Sequence, residues 1–147
     1  MPGPRFRPWL LVILLVGSGC TELGRQTECR LLADTVNPLL AQIERLAEGS
    51  RAPSSKSFSE LADSYRKLKG TIRKLPIKDE NLDAALSAYL DVVTSAEKQL
   101  KLSATAAGSN KDRPSDAELL RRHQLAMSPV LAQQVTAIGR LRGLCKP

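Results

Sequence analysis

Chemistry in a protein of 147 residues needs a nucleophile, a base or a cluster of metal ligands, and this chain supplies few of each. Its thiols are Cys20, Cys29 and Cys145, and His123 is its single histidine, which excludes any mechanism that needs two imidazoles. Two isolated cysteines and one histidine make a poor zinc set. His123 precedes Met127 by four residues, so the two share one helix face and could not supply opposite axial ligands to a haem. The sequence holds no His-Glu-x-x-His, no glycine-rich phosphate loop, no Gly-x-Ser-x-Gly and no Cys-x-x-Cys-His. Its carboxylates are scattered, and no two are spaced as an acid–base couple. The expectation is a protein that is not an enzyme, carries no cofactor or metal, and keeps His123 as a partly exposed surface residue.

Charge offers one concentrated feature. Arg66, Lys67, Lys69, Arg73, Lys74 and Lys78 place six cations within 13 positions, with no acid among them. On a helix this run covers much of one exposed surface. It reads either as a docking face for anionic headgroups or an acidic partner, or as a solvated face whose cations complement the helix C-terminus. No aromatic residues interleave with the cations as a nucleic-acid platform would require, so nucleic acid is not an expected partner.

The first 20 residues have a different character: MPGPRFRPWLLVILLVGSGC. Arg5 and Arg7 form a positive start, Trp9 to Val16 an apolar run, and Gly17-Ser18-Gly19 a small-residue stretch before Cys20. The apolar run is about half of the ~20 residues that cross a bilayer as a helix, so the layout is that of an export signal. This segment resembles the lipobox of bacterial lipoproteins, with Gly17 where that family usually has Leu. The resemblance covers the signal and Cys20 alone. It implies cleavage before Cys20, a diacylglycerol thioether on that thiol and often a third acyl chain, giving a stable membrane anchor. Thr21, which is not the Asp that retains such proteins at the inner membrane, leans the expectation toward the outer membrane.

An odd number of cysteines in an exported protein leaves one thiol to explain. If lipid takes Cys20, then Cys29 and Cys145 remain as a pair in an oxidising compartment. Spacing supports the pair independently, because Cys29 lies near the start of the first mature helix and Cys145 near the end of the last. In an up-down-up-down bundle those ends are neighbours.

The elements that must position these residues follow from apolar periodicity. Stripes with alternating steps of three and four run Cys29-Leu32-Val36-Leu39-Ile43-Leu46 and Phe58-Leu61-Tyr65-Leu68-Ile72-Leu75. Two more run Leu82-Leu86-Tyr89-Val93-Ala96-Leu100 and Met127-Leu131-Gln134-Ile138-Leu141-Cys145. Each spans ~26 Å at ~1.5 Å per residue, so four helices of equal reach can close one core. Only 3% of residues are aromatic and Leu and Ala dominate the apolar set, which favours helix over strand. Ser57 with Glu60 and Ser115 with Glu118 read as capping boxes, Asp79 as a cap for the third helix and Pro76 as the stop of the second. Thr105–Pro114 reads as the most mobile loop. Pro38 and Pro129 fall inside helices one and four, where each removes a backbone hydrogen bond and should kink or divide its helix.

The expected architecture is therefore all-α: an antiparallel four-helix up-down-up-down bundle over residues 29–147, a short tether over 20–28 and a cleaved signal over 1–19. Removing Arg5 and Arg7 with the signal leaves 20 of the 22 basic residues against 15 acidic ones. The expected function is that of a cell-envelope lipoprotein, anchored through Cys20 and serving as an interaction or structural module for an envelope protein. The alternative is a carrier that holds a lipid or small apolar ligand between its helices.

Overall fold

A computed structural model of the chain describes the backbone of residues 9–49 and 52–146, and the side chains of residues 22–49 and 52–146. The described residues form four α-helices: α1 (Trp9–Gly49), α2 (Ser55–Ile72), α3 (Glu80–Gly108) and α4 (Asp116–Leu144). Residues 1–8 of the expected signal, and the Cys20 side chain, lie outside the described part.

Contacts between distant residues fix the topology. The Glu28 carboxylate on α1 accepts from the backbone amides of Lys78 (3.0 Å) and Asp79 (3.1 Å), placing α1 beside the turn between α2 and α3. Lys69 on α2 meets Glu97 on α3, while Ser55 at the start of α2 lies against Gly108 at the end of α3. Ser103 on α3 meets His123 on α4. Successive helices are thus antiparallel neighbours, and the Cys29–Cys145 disulfide, with Cα atoms 5.5 Å apart, joins the first helix to the end of the last. The up-down-up-down bundle follows.

Three stripes face the core as their spacing predicts, one of them buried throughout and two with partly buried members (Leu39, Leu46, Leu61 and Leu75). All six named residues of α3 are buried, and Leu68 and Leu82 have no exposed surface. On α2, Phe58, Tyr65, Leu68 and Ile72 are buried; on α1, Cys29, Leu32, Val36 and Ile43. The fourth stripe departs from expectation. Leu131 is 50% exposed, and the buried positions of α4 are Leu119, Met127, Val130 and Ala137. Ala137 lies beside Ala88 and Val92 of α3, and Leu131 stands half exposed across a cavity from Ile43 of α1.

Helix ends also differ from the sequence reading. The cap of α2 is Ser54, whose hydroxyl accepts from the Ser57 amide (3.0 Å) while the Ser57 hydroxyl accepts from the Ser54 amide (3.1 Å). Glu60 instead faces Lys56 on the exposed surface. α2 stops at Ile72, four residues before Pro76, and its final carbonyls are taken by tighter bonds from Lys74 and Leu75. Asp79 caps α3 by accepting from Leu82 (2.9 Å), and Ser115 caps α4 by accepting from Glu118 (3.3 Å). α3 runs on to Gly108, and the following connection is pinned by Arg113, which donates to the Ala107 carbonyl (3.1 Å) and to Asp116 (2.8 Å). α1 and α4 both continue through their prolines, and neither is divided. The stretch expected as a tether, residues 20–28, is helical and belongs to α1.

Candidate functional site

The sequence singles out the two ends of the disulfide, and the structure brings them together. Cys29 sits on the buried face of α1, nine positions after Cys20, and Cys145 caps the C-terminus of α4. Each sulfur reaches the other because both cysteines fall on the inward stripe of their helix.

Away from the bridge, α1 packs on α2 and not closely on α4. The seam between the two outer helices is an apolar groove floored by α2 and α3. Near the bridge it forms a cavity of about 210 Å³, lined among others by Val36 and Leu40 of α1 and Ile138 and Leu141 of α4, with Ile72 and Tyr89 beneath. Further along the seam a second, separate cavity of about 450 Å³ lies between Ile43 of α1 and Met127 and Leu131 of α4, with Tyr65 and Leu100 beneath. These volumes are of the order of the smaller ligand pockets, roughly 300–1,000 Å³.

Two polar atoms are buried nearby. Tyr89 is 2% exposed, and its hydroxyl, sealed from the surface, has no hydrogen-bond partner among the described residues. Gln134 Oε1 on α4, which lines neither cavity, is also buried and without a partner among the described residues. A buried hydroxyl without a partner costs about 1–3 kcal/mol, so its presence asks for a reason. Burial, and secondarily the neighbouring Tyr65, pushes the Tyr89 phenol up to about 12, so it stays protonated and available as a donor. Burial also raises Tyr65. At the rim stand Asn37 and Arg142, and among the described residues Arg142 forms no ion pair.

His123 lies at the other end of the groove. It is half-buried, with Nδ1 2.8 Å from the Ser103 hydroxyl and its ring 4.8 Å from that of Phe58. Burial lowers its pKa, so the ring is neutral near pH 7. It packs and bonds as a structural residue, and no carboxylate among the described residues accepts from it to make a base.

The basic run divides in three dimensions. Arg66 pairs with Asp63 one turn earlier, and Lys69, only 17% exposed, reaches across to Glu97 at 2.5 Å. Glu97 is buried and also accepts from Lys101, again at 2.5 Å. Burial alone would raise this carboxyl, but the hydrogen bonds from Lys101 and Lys69 outweigh it and hold the group below its ordinary value. The sequence reading passed over Glu97, although its i, i+4 spacing to Lys101 beside the buried Ala96 was a usable signal. Lys67, Arg73, Lys74 and Lys78 remain exposed and form no ion pair among the described residues. Arg73, Lys74 and Lys78 gather at the bridge end of the bundle, beyond the C-terminus of α2. Asp79, Glu80 and Asp83 share that end at the start of α3, where Asp79 is engaged in capping.

No group of three or more metal-ligating side chains occurs among the described residues, and no helix among them is long and apolar enough to cross a membrane. The fold and site define a disulfide-closed four-helix bundle with one open seam. Compared with protein-family models, curated proteins and solved structures, the chain shows no match.

Proposed function

We propose that the chain is a lipid-anchored, non-enzymatic module of the bacterial cell envelope, held at the membrane, by preference the outer one, through acylated Cys20. The observation that carries this reading is the fate of the three thiols. Cys29 and Cys145 consume each other, which leaves Cys20, behind a positive, apolar and small-residue leader, as the odd one out. The helical course of residues 20–28 sets Cys20 about 13 Å from Cys29 at ~1.5 Å per residue, so the bridge end of the bundle would face the membrane closely. Arg73, Lys74 and Lys78 gather at that end. Cations are felt by anionic headgroups within a Debye length of about 8 Å, so a short helical spacer suits them. The same surface would meet an acidic envelope protein.

Mass spectrometry of the membrane-extracted protein tests the reading. It should show Met1–Gly19 missing, acyl mass on Cys20 and Cys29 joined to Cys145. Trp9 is the sole tryptophan, so the processed protein should lack tryptophan emission. An unmodified Cys20, or tryptophan fluorescence in the mature material, would overturn it.

A second reading, a carrier for an apolar ligand, is favoured by one specific observation: the groove between α1 and α4.

A further inference from the structure

We propose that the outer face of α4 lies on an anionic lipid surface, its exposed apolar side chains among the headgroups and an arginine at each end. The proposal rests on the anchored reading, which brings α4 to a bilayer, and adds the surface through which the bundle meets it.

α4 carries a second stripe that the core does not use. It runs Arg121-Leu125-Ser128-Ala132-Val135-Gly139-Arg142 in steps of four and three, and each of these residues is exposed. Leu125 is 63% exposed and Val135 74%, with the exposed Leu120 and Leu131 beside the row. From Gln124 to Gly139 the helix has no acidic or basic residue on any side. The outward positions of the middle helices are of the ordinary kind, with Asp63 and Arg66 exposed on α2 and Asp91 and Lys98 on α3. A solvated helix face is normally charged in that way, so an uncharged row with large apolar members calls for cover.

Charge identifies the cover. Glu118 is the last acid in the chain, and the residues after it include Arg121, Arg122, Arg140, Arg142 and Lys146. Arg121 and Arg122 share that single carboxylate, which leaves a positive excess at the start of the stripe. Arg142, at its other end, forms no ion pair among the described residues. A second copy of the chain is therefore a poor occupant. Antiparallel pairing would set Arg121 against Arg142, and parallel pairing would set each arginine against its own counterpart. An apolar row between arginines suits anionic headgroups, since the carbon enters the headgroup region while the guanidiniums bond phosphate. Position favours lipid over an acidic protein. Cys145 caps α4 and is bridged to Cys29, nine residues after Cys20, so an acyl anchor there holds the Arg142 end of the stripe near the bilayer. The row from Arg121 to Arg142 spans about 31 Å at ~1.5 Å per residue, enough for α4 to lie along the surface.

The experiment reads the stripe itself. In the full chain, Trp9→Phe with Val135→Trp leaves one tryptophan, on the stripe, and Trp9→Phe with Lys67→Trp leaves one on the exposed side of α2. The apolar leader can enter a bilayer unaided, so bulk binding decides nothing and the local signal does. Each protein is mixed with vesicles of phosphatidylcholine and phosphatidylglycerol in equal parts, with and without brominated acyl chains. The α4 tryptophan should shift to the blue and be quenched about twofold or more beyond the α2 one. Leu125→Asp should abolish the shift, and Arg142→Gln should reduce the quenching, as should vesicles of phosphatidylcholine alone. An α4 signal that ignores the vesicles, matches the α2 signal or is as strong on phosphatidylcholine alone overturns the proposal. So does a blue shift that appears without lipid and grows with protein concentration, because a second copy would then cover the stripe. None of these outcomes touches the anchor, which stands or falls on acyl mass at Cys20.

Discussion

Glu97 is the residue at which burial and charge compete most directly. Its carboxylate is 5% exposed and is held by two ammonium groups, one from the facing helix and one from a turn further along its own. Because hydrogen bonding wins over desolvation, its pKa in the fold lies below the ordinary 4.5, and the sign of the consequence is fixed. The ionised form is preferred by the folded state, so its stabilisation is present above pH 4.5 and drains away as pH falls through the lower folded value. Thermal melts should therefore lose stability as pH drops below 4.5, and Glu97→Gln should flatten part of that slope. At neutral pH the same substitution should cost about 1–3 kcal/mol, since it leaves Lys69 and Lys101 without their shared charge partner. Some slope should persist, because Glu118, pulled down to about 2 by hydrogen bonds from Arg121 and then Arg122, remains in the variant. An unchanged pH profile in Glu97→Gln would show that the pair contributes nothing net.

Helices were legible as elements, and their boundaries less so. The three-and-four spacing located all four, and on α2 and α3 it named the buried face, because each of those helices is covered from both sides. It failed at Leu131, since periodicity reports which face is apolar but not whether a neighbour covers it. The start of α1 was missed for a related reason. Residues 20–28 carry little apolar signal, and they are held by the Glu28 carboxylate on the far-off amides of Lys78 and Asp79, a contact 50 positions away in sequence. The capping box of α2 was placed three residues late because Ser-x-x-Glu is the stronger sequence pattern, whereas Ser54 and Ser57 serve each other with two hydroxyls. The groove was not legible at all: it exists because two helices fail to meet. The cap assignment is testable at this scale. Ser54→Ala should cost about 1 kcal/mol in a denaturant titration, the usual worth of an N-cap. Glu60→Ala should stay within about 0.5 kcal/mol, as expected for an exposed residue whose one ion pair among the described residues is at the surface. The reverse ranking would restore Ser57 as the cap.

For the whole molecule the decisive fact is unequal support. α2, α3 and α4 form a packed succession, and α1 leans on α2 with its other flank open to the groove. The disulfide is then the main restraint on that open side, and it closes a loop spanning 116 positions. Chain-entropy arguments give a loop of this length about 4–5 kcal/mol, with measured values commonly near 2–4. Replacing both cysteines, Cys29→Ser with Cys145→Ser, should lower stability by about 2–4 kcal/mol and abolish any sensitivity of the melt to reductant. The distribution of the loss matters more than its size. Hydrogen exchange should quicken first in α1 after Cys29, where only α2 still holds it, while amides around Leu82, Val93 and Leu100 at the centre of α3 keep their protection. Exchange that rises equally in α1 and α3 would mean that the bundle melts as one unit without the bridge. In that case the seam would be as well supported as the core, and the bridge would act on the unfolded chain alone.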